Sequence, residues 1–163
     1  MQAAAIRAMN KQAMDLGFLL KQIPGYDFSM AEFDDRLRLQ KMVYLLQAFG
    51  VYLGYDFNWY LRGPYCTVLT ANAFVVAKFY GEIPDRRVTF KSSLAQERFE
   101  KFLEFNRGKS VDDLEIAASL HYQSRVLHKD DGESKKAVVA KRPSFTPEMV
   151  GRVWAQMEGC GLV

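Results

Sequence analysis

Apolar positions along this chain recur mostly at helical spacing. Ile6, Met9, Ala13, Leu16, Leu19 and Leu20 predict a first helix from about Ala4 to Gln22. Pro24-Gly25 ends it. Ser29 with Glu32 three residues on is a capping-box pattern, and Asp34-Asp35 offers a second helix start. The segment from Arg36 to Phe49 is the most apolar. Leu37, Leu39, Met42, Val43, Leu45, Leu46 and Phe49 leave only a thin polar stripe of Arg38, Gln40 and Lys41. A helix of that kind belongs in the middle of a core.

The period then changes. Asp56 to Leu61 alternates, with Phe57, Trp59 and Leu61 on one side and Asn58 and Tyr60 on the other, which predicts a short strand. Arg62-Gly63-Pro64-Tyr65 reads as a turn. Helical spacing returns from about Thr67 to Tyr80. After a loop, Arg87-Val88-Thr89-Phe90 reads as a second short strand, placed to pair with Phe57 to Leu61. Ser92 to Asn106 is amphipathic and helical. Ser110 caps a further helix that runs to about Leu127, with Asp112 and Asp113 in its first turn. Lys129 to Arg142 is poor in apolar residues and reads as a mobile surface loop. Thr146-Pro147 opens a last helix, which Gly159 closes.

The expected fold is mainly α. It is a compact bundle of about six helices with one short two-stranded β element, in a single domain over 1–163. Helix, ribbon and basic loop together also suit a winged-helix-like layout.

Composition narrows the function. A chain of 163 residues is the usual size of one domain. Its 13% aromatic content supplies rings for a surface as well as a core. The net charge of +3 is too small to signal a concentrated basic face. Cys66 and Cys160 are too few and too distant for a disulfide framework and point to a reducing compartment. Arg7, Asn10 and Lys11 interrupt the N-terminal segment, so it does not read as a signal peptide. No apolar run reaches the roughly 18 residues of a membrane span. The cytoplasm is the expected location, with no membrane partner.

Catalytic patterns were sought in turn. His121 and His128 are too far apart for a zinc-binding pair. Cys66 stands at a helix start, where the dipole lowers a thiol pKa, but no base lies near it in sequence. No glycine-rich phosphate loop is present. Asp34-Asp35, Asp112-Asp113 and Asp130-Asp131 are adjacent pairs that diverge on a helix and read as caps. The expectation is therefore no catalytic residue, no metal and no cofactor.

One stretch stands out. Its helix reads Arg38-Leu39-Gln40-Lys41-Met42-Val43-Tyr44-Leu45-Leu46-Gln47, and its turn reads Trp59-Tyr60-Leu61-Arg62-Gly63-Pro64-Tyr65. Together, over Arg36 to Tyr65, they resemble the YwgA-like family. They are similar, more loosely, to Panacea-type antitoxin domains and to the C-terminal module of DarG antitoxins. Weaker similarity runs through Leu114 to Tyr122 and Lys141 to Val153. Arg62 and Cys66 flank the Gly63-Pro64-Tyr65 turn where such relatives often carry Tyr, Ser or Ala. The chain has no macrodomain, so the glycohydrolase activity of DarG proteins does not carry over.

The resemblance implies a binding or regulatory role in a toxin–antitoxin or phage-defence setting. The implied partner is a protein toxin, of ADP-ribosyltransferase type if the DarG likeness holds. Gly63 frees the backbone and Pro64 stiffens it, while Trp, Tyr and Arg are the types enriched at binding hot spots. The expected contact residues are Lys41, Trp59, Tyr60, Arg62, Gly63, Pro64 and Tyr65. The alternative is a winged-helix-like DNA-binding regulator. Its phosphate contacts would be Lys135, Lys136, Lys141 and Arg142.

Overall fold

The computed structural model describes residue 7, residues 9–85 and residues 87–163. Among them are seven α-helices and one two-stranded sheet. The helices are α1 (Lys11–Lys21), α2 (Phe33–Ala48), α3 (Thr67–Phe79), α4 (Ser93–Asn106), α5 (Val111–His121), α6 (Asp131–Lys141) and α7 (Pro147–Gly159). The strands β1 (Asn58–Tyr60) and β2 (Gly63–Tyr65) lie between α2 and α3. The expected mainly helical bundle with a small β element is what the chain forms. The expected start of the first helix, Ala4 to Ile6, falls outside the described residues.

Local chemistry places most boundaries. Asn10, Ser92, Ser110 and Thr146 each accept a backbone N–H from the first turn of the helix that follows. Glu32, rather than Ser29, caps α2, in a capping box with Asp35. From that start α2 runs through the core. Leu39, Met42, Val43, Leu45 and Leu46 are all buried, and the helix packs chiefly on α5 while α1 packs on α3. The carboxyl end of α5 continues as a π-helical turn over Tyr122–Val126. No helix among the described residues is long and apolar enough to cross a membrane.

Two expectations are corrected. Lys129 to Arg142 is not a loop: Asp131–Lys141 is helix α6. Asp130 and Glu133 form a capping box, Lys135 pairs with Asp131 at 2.6 Å, and Ser134 and Val138 alone are fully buried. Only a narrow inward stripe is needed, so helical periodicity is faint. Arg87 to Phe90 is not a strand. Val88 and Phe90 pack on the core as side chains, with Phe90 5.2 Å from the Phe99 ring. The partner of β1 is instead its immediate successor, β2.

Candidate functional site

The stretch from Trp59 to Tyr65 folds back on itself. β1 and β2 are antiparallel, with Asn58 opposite Tyr65, Trp59 opposite Pro64 and Tyr60 opposite Gly63. Leu61 and Arg62 form the tip. Gly63 has φ +84°, a left-handed conformation that side chains resist. A Cβ there would also overlap Ser119 Oγ of α5. Glycine is thus required twice over, by the turn and by the close approach of α5. Pro64 follows in a trans linkage, at a position where a two-stranded ribbon tolerates a missing N–H.

Three side chains within little more than one turn of α2 lie beneath this corner. Gln40 acts as a substitute strand. Its Nε2 donates to Cys66 O (2.8 Å) and to Thr70 Oγ1 (2.8 Å), and its Oε1 accepts Cys66 N–H (2.9 Å). Lys41, 1% exposed, donates from Nζ to Pro64 O at 2.6 Å. Tyr44 OH is bonded to His121 Nδ1 at 2.7 Å. Buried polar groups need such partners, so these three side chains define where the hairpin can sit.

The electrostatics follow from burial. Glu115 of α5, 1% exposed, receives Arg142 Nη1 on Oε1 at 3.1 Å, and Arg62 Nη1 stands 3.9 Å from its Oε2. Burial pushes the Glu115 carboxyl up to about 7, against the pull of Lys41 and Arg62. Burial pushes the Lys41 ammonium down to about 7, against the pull of Glu115. It also pushes His121 down to about 4, with nearby Arg125 adding to the effect. The floor of the corner is therefore a buried polar network that ties β2, α2, α5 and the end of α6 together.

Above that floor the surface is greasy. Tyr60 is 59% exposed and Leu61 67% exposed, and Phe33 and Phe74 are each about half exposed. These four side chains rim a groove of about 530 Å³, with Arg36, Leu37, Arg62, Tyr65 and Thr70 also lining it. The Tyr60 and Tyr65 rings are 5.6 Å apart, and Thr70 Oγ1 donates to Tyr65 OH at 2.9 Å. The Arg62 guanidinium lies 5.5 Å from the Phe33 ring centroid. Among the described residues no carboxylate lines the groove.

The expected contact residues therefore separate. Tyr60, Arg62 and Tyr65 reach the groove. Trp59 faces away from it, half-buried against Tyr122 at 5.4 Å and beneath Lys141 Nζ at 5.2 Å. Lys41, Gly63 and Pro64 are buried: Lys41 and Gly63 line the floor of the groove, and Pro64 supports the corner through its carbonyl. Of the expected phosphate contacts, Lys135 sits over Trp154, Lys141 over Trp59, and Arg142 on Glu115. Lys136 alone among the four has no such engagement, and it is exposed. Cys66 is buried and caps α3 through its own sulfur, which receives Leu69 N–H at 3.5 Å. Among the described residues no three His, Cys, Asp or Glu side chains converge as metal ligands.

Sequence reading missed Phe33, Leu61 and Phe74 as rim, and Glu115 and Ser119 as floor. Phe33 and Phe74 left a signal: both stand off the inward stripe of their helices. Glu115 and Ser119 left none, because α5 is buried on nearly every side. No protein-family model, no curated protein and no solved structure matches the chain.

Proposed function

We propose that this chain is a non-catalytic protein-binding module, an antitoxin or inhibitor that neutralises a partner toxin by direct contact through the hairpin tip and the groove beside it. One observation carries the reading. Four large apolar side chains, Phe33, Tyr60, Leu61 and Phe74, stay exposed around a single groove whose floor is anchored by the hydrogen bonds of Gln40 and Lys41. Contiguous exposed apolar area of this kind marks interaction surfaces. A tip held by Gln40 and Lys41 also loses little freedom when a partner docks. The similarity of Arg36 to Tyr65 to YwgA-like and Panacea-type sequences supports the same role and is part of the proposal.

The experiment is co-purification with the product of an adjacent toxin-like reading frame, followed by titration with variants. Tyr60→Ala together with Leu61→Asp should raise Kd by about a hundredfold or more, since rim side chains at hot spots are each worth about 2 kcal/mol. The urea midpoint should stay in place, because both side chains face solvent. A complex that forms with unchanged affinity in the folded double variant ends the reading.

A further inference from the structure

A second cavity lies on the opposite side of α2. At about 100° per residue, Leu37, Gln40 and Lys41 face the hairpin groove, whereas Asp35, Arg38 and Met42 face the other way. There they line a cleft of about 430 Å³, closed by the Ile23–Asp27 loop and by the turn that joins α4 to α5. That size lies within the range of small-molecule sites.

The lining has unused hydrogen-bonding capacity. Tyr26 OH and Asn106 Oδ1 are both buried and both without a partner. Burial holds the Tyr26 hydroxyl protonated, well above its ordinary range, so it stands there as a neutral donor and acceptor. Asn106 Oδ1 is an acceptor that calls for an N–H or O–H. Such groups cost free energy unless something satisfies them, and these two share one cleft.

The charges on the same walls are unbalanced. Arg38 spends one N–H on Lys109 O at 3.0 Å, which braces the cleft and leaves the rest of its fork free. Lys109 Nζ lies 4.5 Å from the Phe105 ring centroid, and burial pushes its ammonium down. Among the described residues neither cation has a carboxylate within 4.0 Å, the ion-pair range. Of the two acids on the cleft, Asp35 is committed through Oδ2 to the Glu32 backbone N–H that starts α2, and Asp27 is exposed.

We infer that this cleft is a binding site for a small molecule that carries an oxyanion, carboxylate or phosphate, beside an O–H or N–H donor. The oxyanion meets the open edge of Arg38 and the Lys109 ammonium. The donor meets Asn106 Oδ1, and Tyr26 OH bridges the two. A guanidinium fork suits either kind of oxyanion. This site is separate from the hairpin groove and does not depend on the function proposed for it.

The test is calorimetric titration of the full chain with four probes: lactate and serine for the carboxylate arm, glycerol 3-phosphate for the phosphate arm, and glycerol as the uncharged control. Binding by one charged arm and not by glycerol is expected, with saturation in the micromolar to low millimolar range. Tyr26→Phe removes only a hydroxyl and should weaken that binding about tenfold, as should Asn106→Ala, while Leu61→Asp on the groove leaves it unchanged. Heat signals absent for all four probes would mean that water alone fills the cleft and would overturn the inference. So would binding that both cleft variants retain at full strength.

Discussion

The hairpin corner and helix α6 are both segments in which charged and aromatic side chains promise contact with another macromolecule, and the fold uses them in opposite ways. At the corner the cation of the helix, Lys41, is spent inside on Pro64 O, and what reaches solvent is Tyr60 and Leu61. On α6 and at its carboxyl end three of four cations lie against rings and carboxylates of the same chain: Lys135 on Asp131 and Trp154, Lys141 on Trp59, Arg142 on Glu115. A basic residue is available to phosphate only when no internal partner holds it, and residue type alone does not report this. The corner keeps its apolar rim free because the backbone groups of Pro64 and Cys66 are bonded from beneath by Lys41 and Gln40. Much of the charge on α6, by contrast, is taken up in attaching the helix to the bundle.

The comparison breaks most sharply at Gly63. Gly63→Ala should destabilise the chain by about 2–4 kcal/mol, the sum of a left-handed backbone penalty and overpacking against Ser119. Urea denaturation measures it. A loss below about 1 kcal/mol would show that the corner is not as tightly seated on α5 as its geometry requires.

An effect of the same order separates the buried cation from the exposed ones. The Lys41 ammonium is pushed down to about 7 in the fold from its ordinary 10.5. Between those values the unfolded chain binds more protons, so this group's contribution to stability grows as pH rises and is lost as pH falls towards 7. Lys41→Met should flatten the stability–pH curve over that interval relative to the parent. Parallel curves would show that the Lys41 pKa is not displaced in the fold.

The smallest effect belongs to α6. Lys136→Ala with Lys141→Ala should change stability by about 1 kcal/mol or less, since only the Lys141 contact with Trp59 is lost. Neither substitution should alter toxin binding. Duplex DNA binding that falls steeply with salt and disappears in this double variant would move the interface onto α6 and favour the regulator reading.

These contrasts also show how much was legible in the chain. The α2 pattern, the amphipathic spacing of Ser92 to Asn106, the capping residues Ser110 and Thr146, and the alternation at Asp56 to Leu61 each predict the element that forms there. They do so because local hydrogen bonding and side-chain period decide them. Helix α6 was illegible by period, although Asp130 and Glu133 wrote its capping box in plain view. Tyr60, Arg62 and Tyr65 were found by residue type. Alternation puts Leu61 on the same side as Phe57 and Trp59, yet it is exposed because the chain reverses at that residue. Glu115 and Ser119 depend on how α5 lies across the corner, a distant pairing to which nothing near them in sequence refers.

The seat of residue 63 against residue 119 has a use outside this molecule. Two positions far apart in the chain are locked into one choice of size: the first has room for no side chain, and the second can hold only a short one. A chain that shares this corner must satisfy both at once, whatever rings or charges it displays at its tip. That long-range restriction, joined to the short Gly-Pro-Tyr string, distinguishes a true structural cousin from a chance match to three letters.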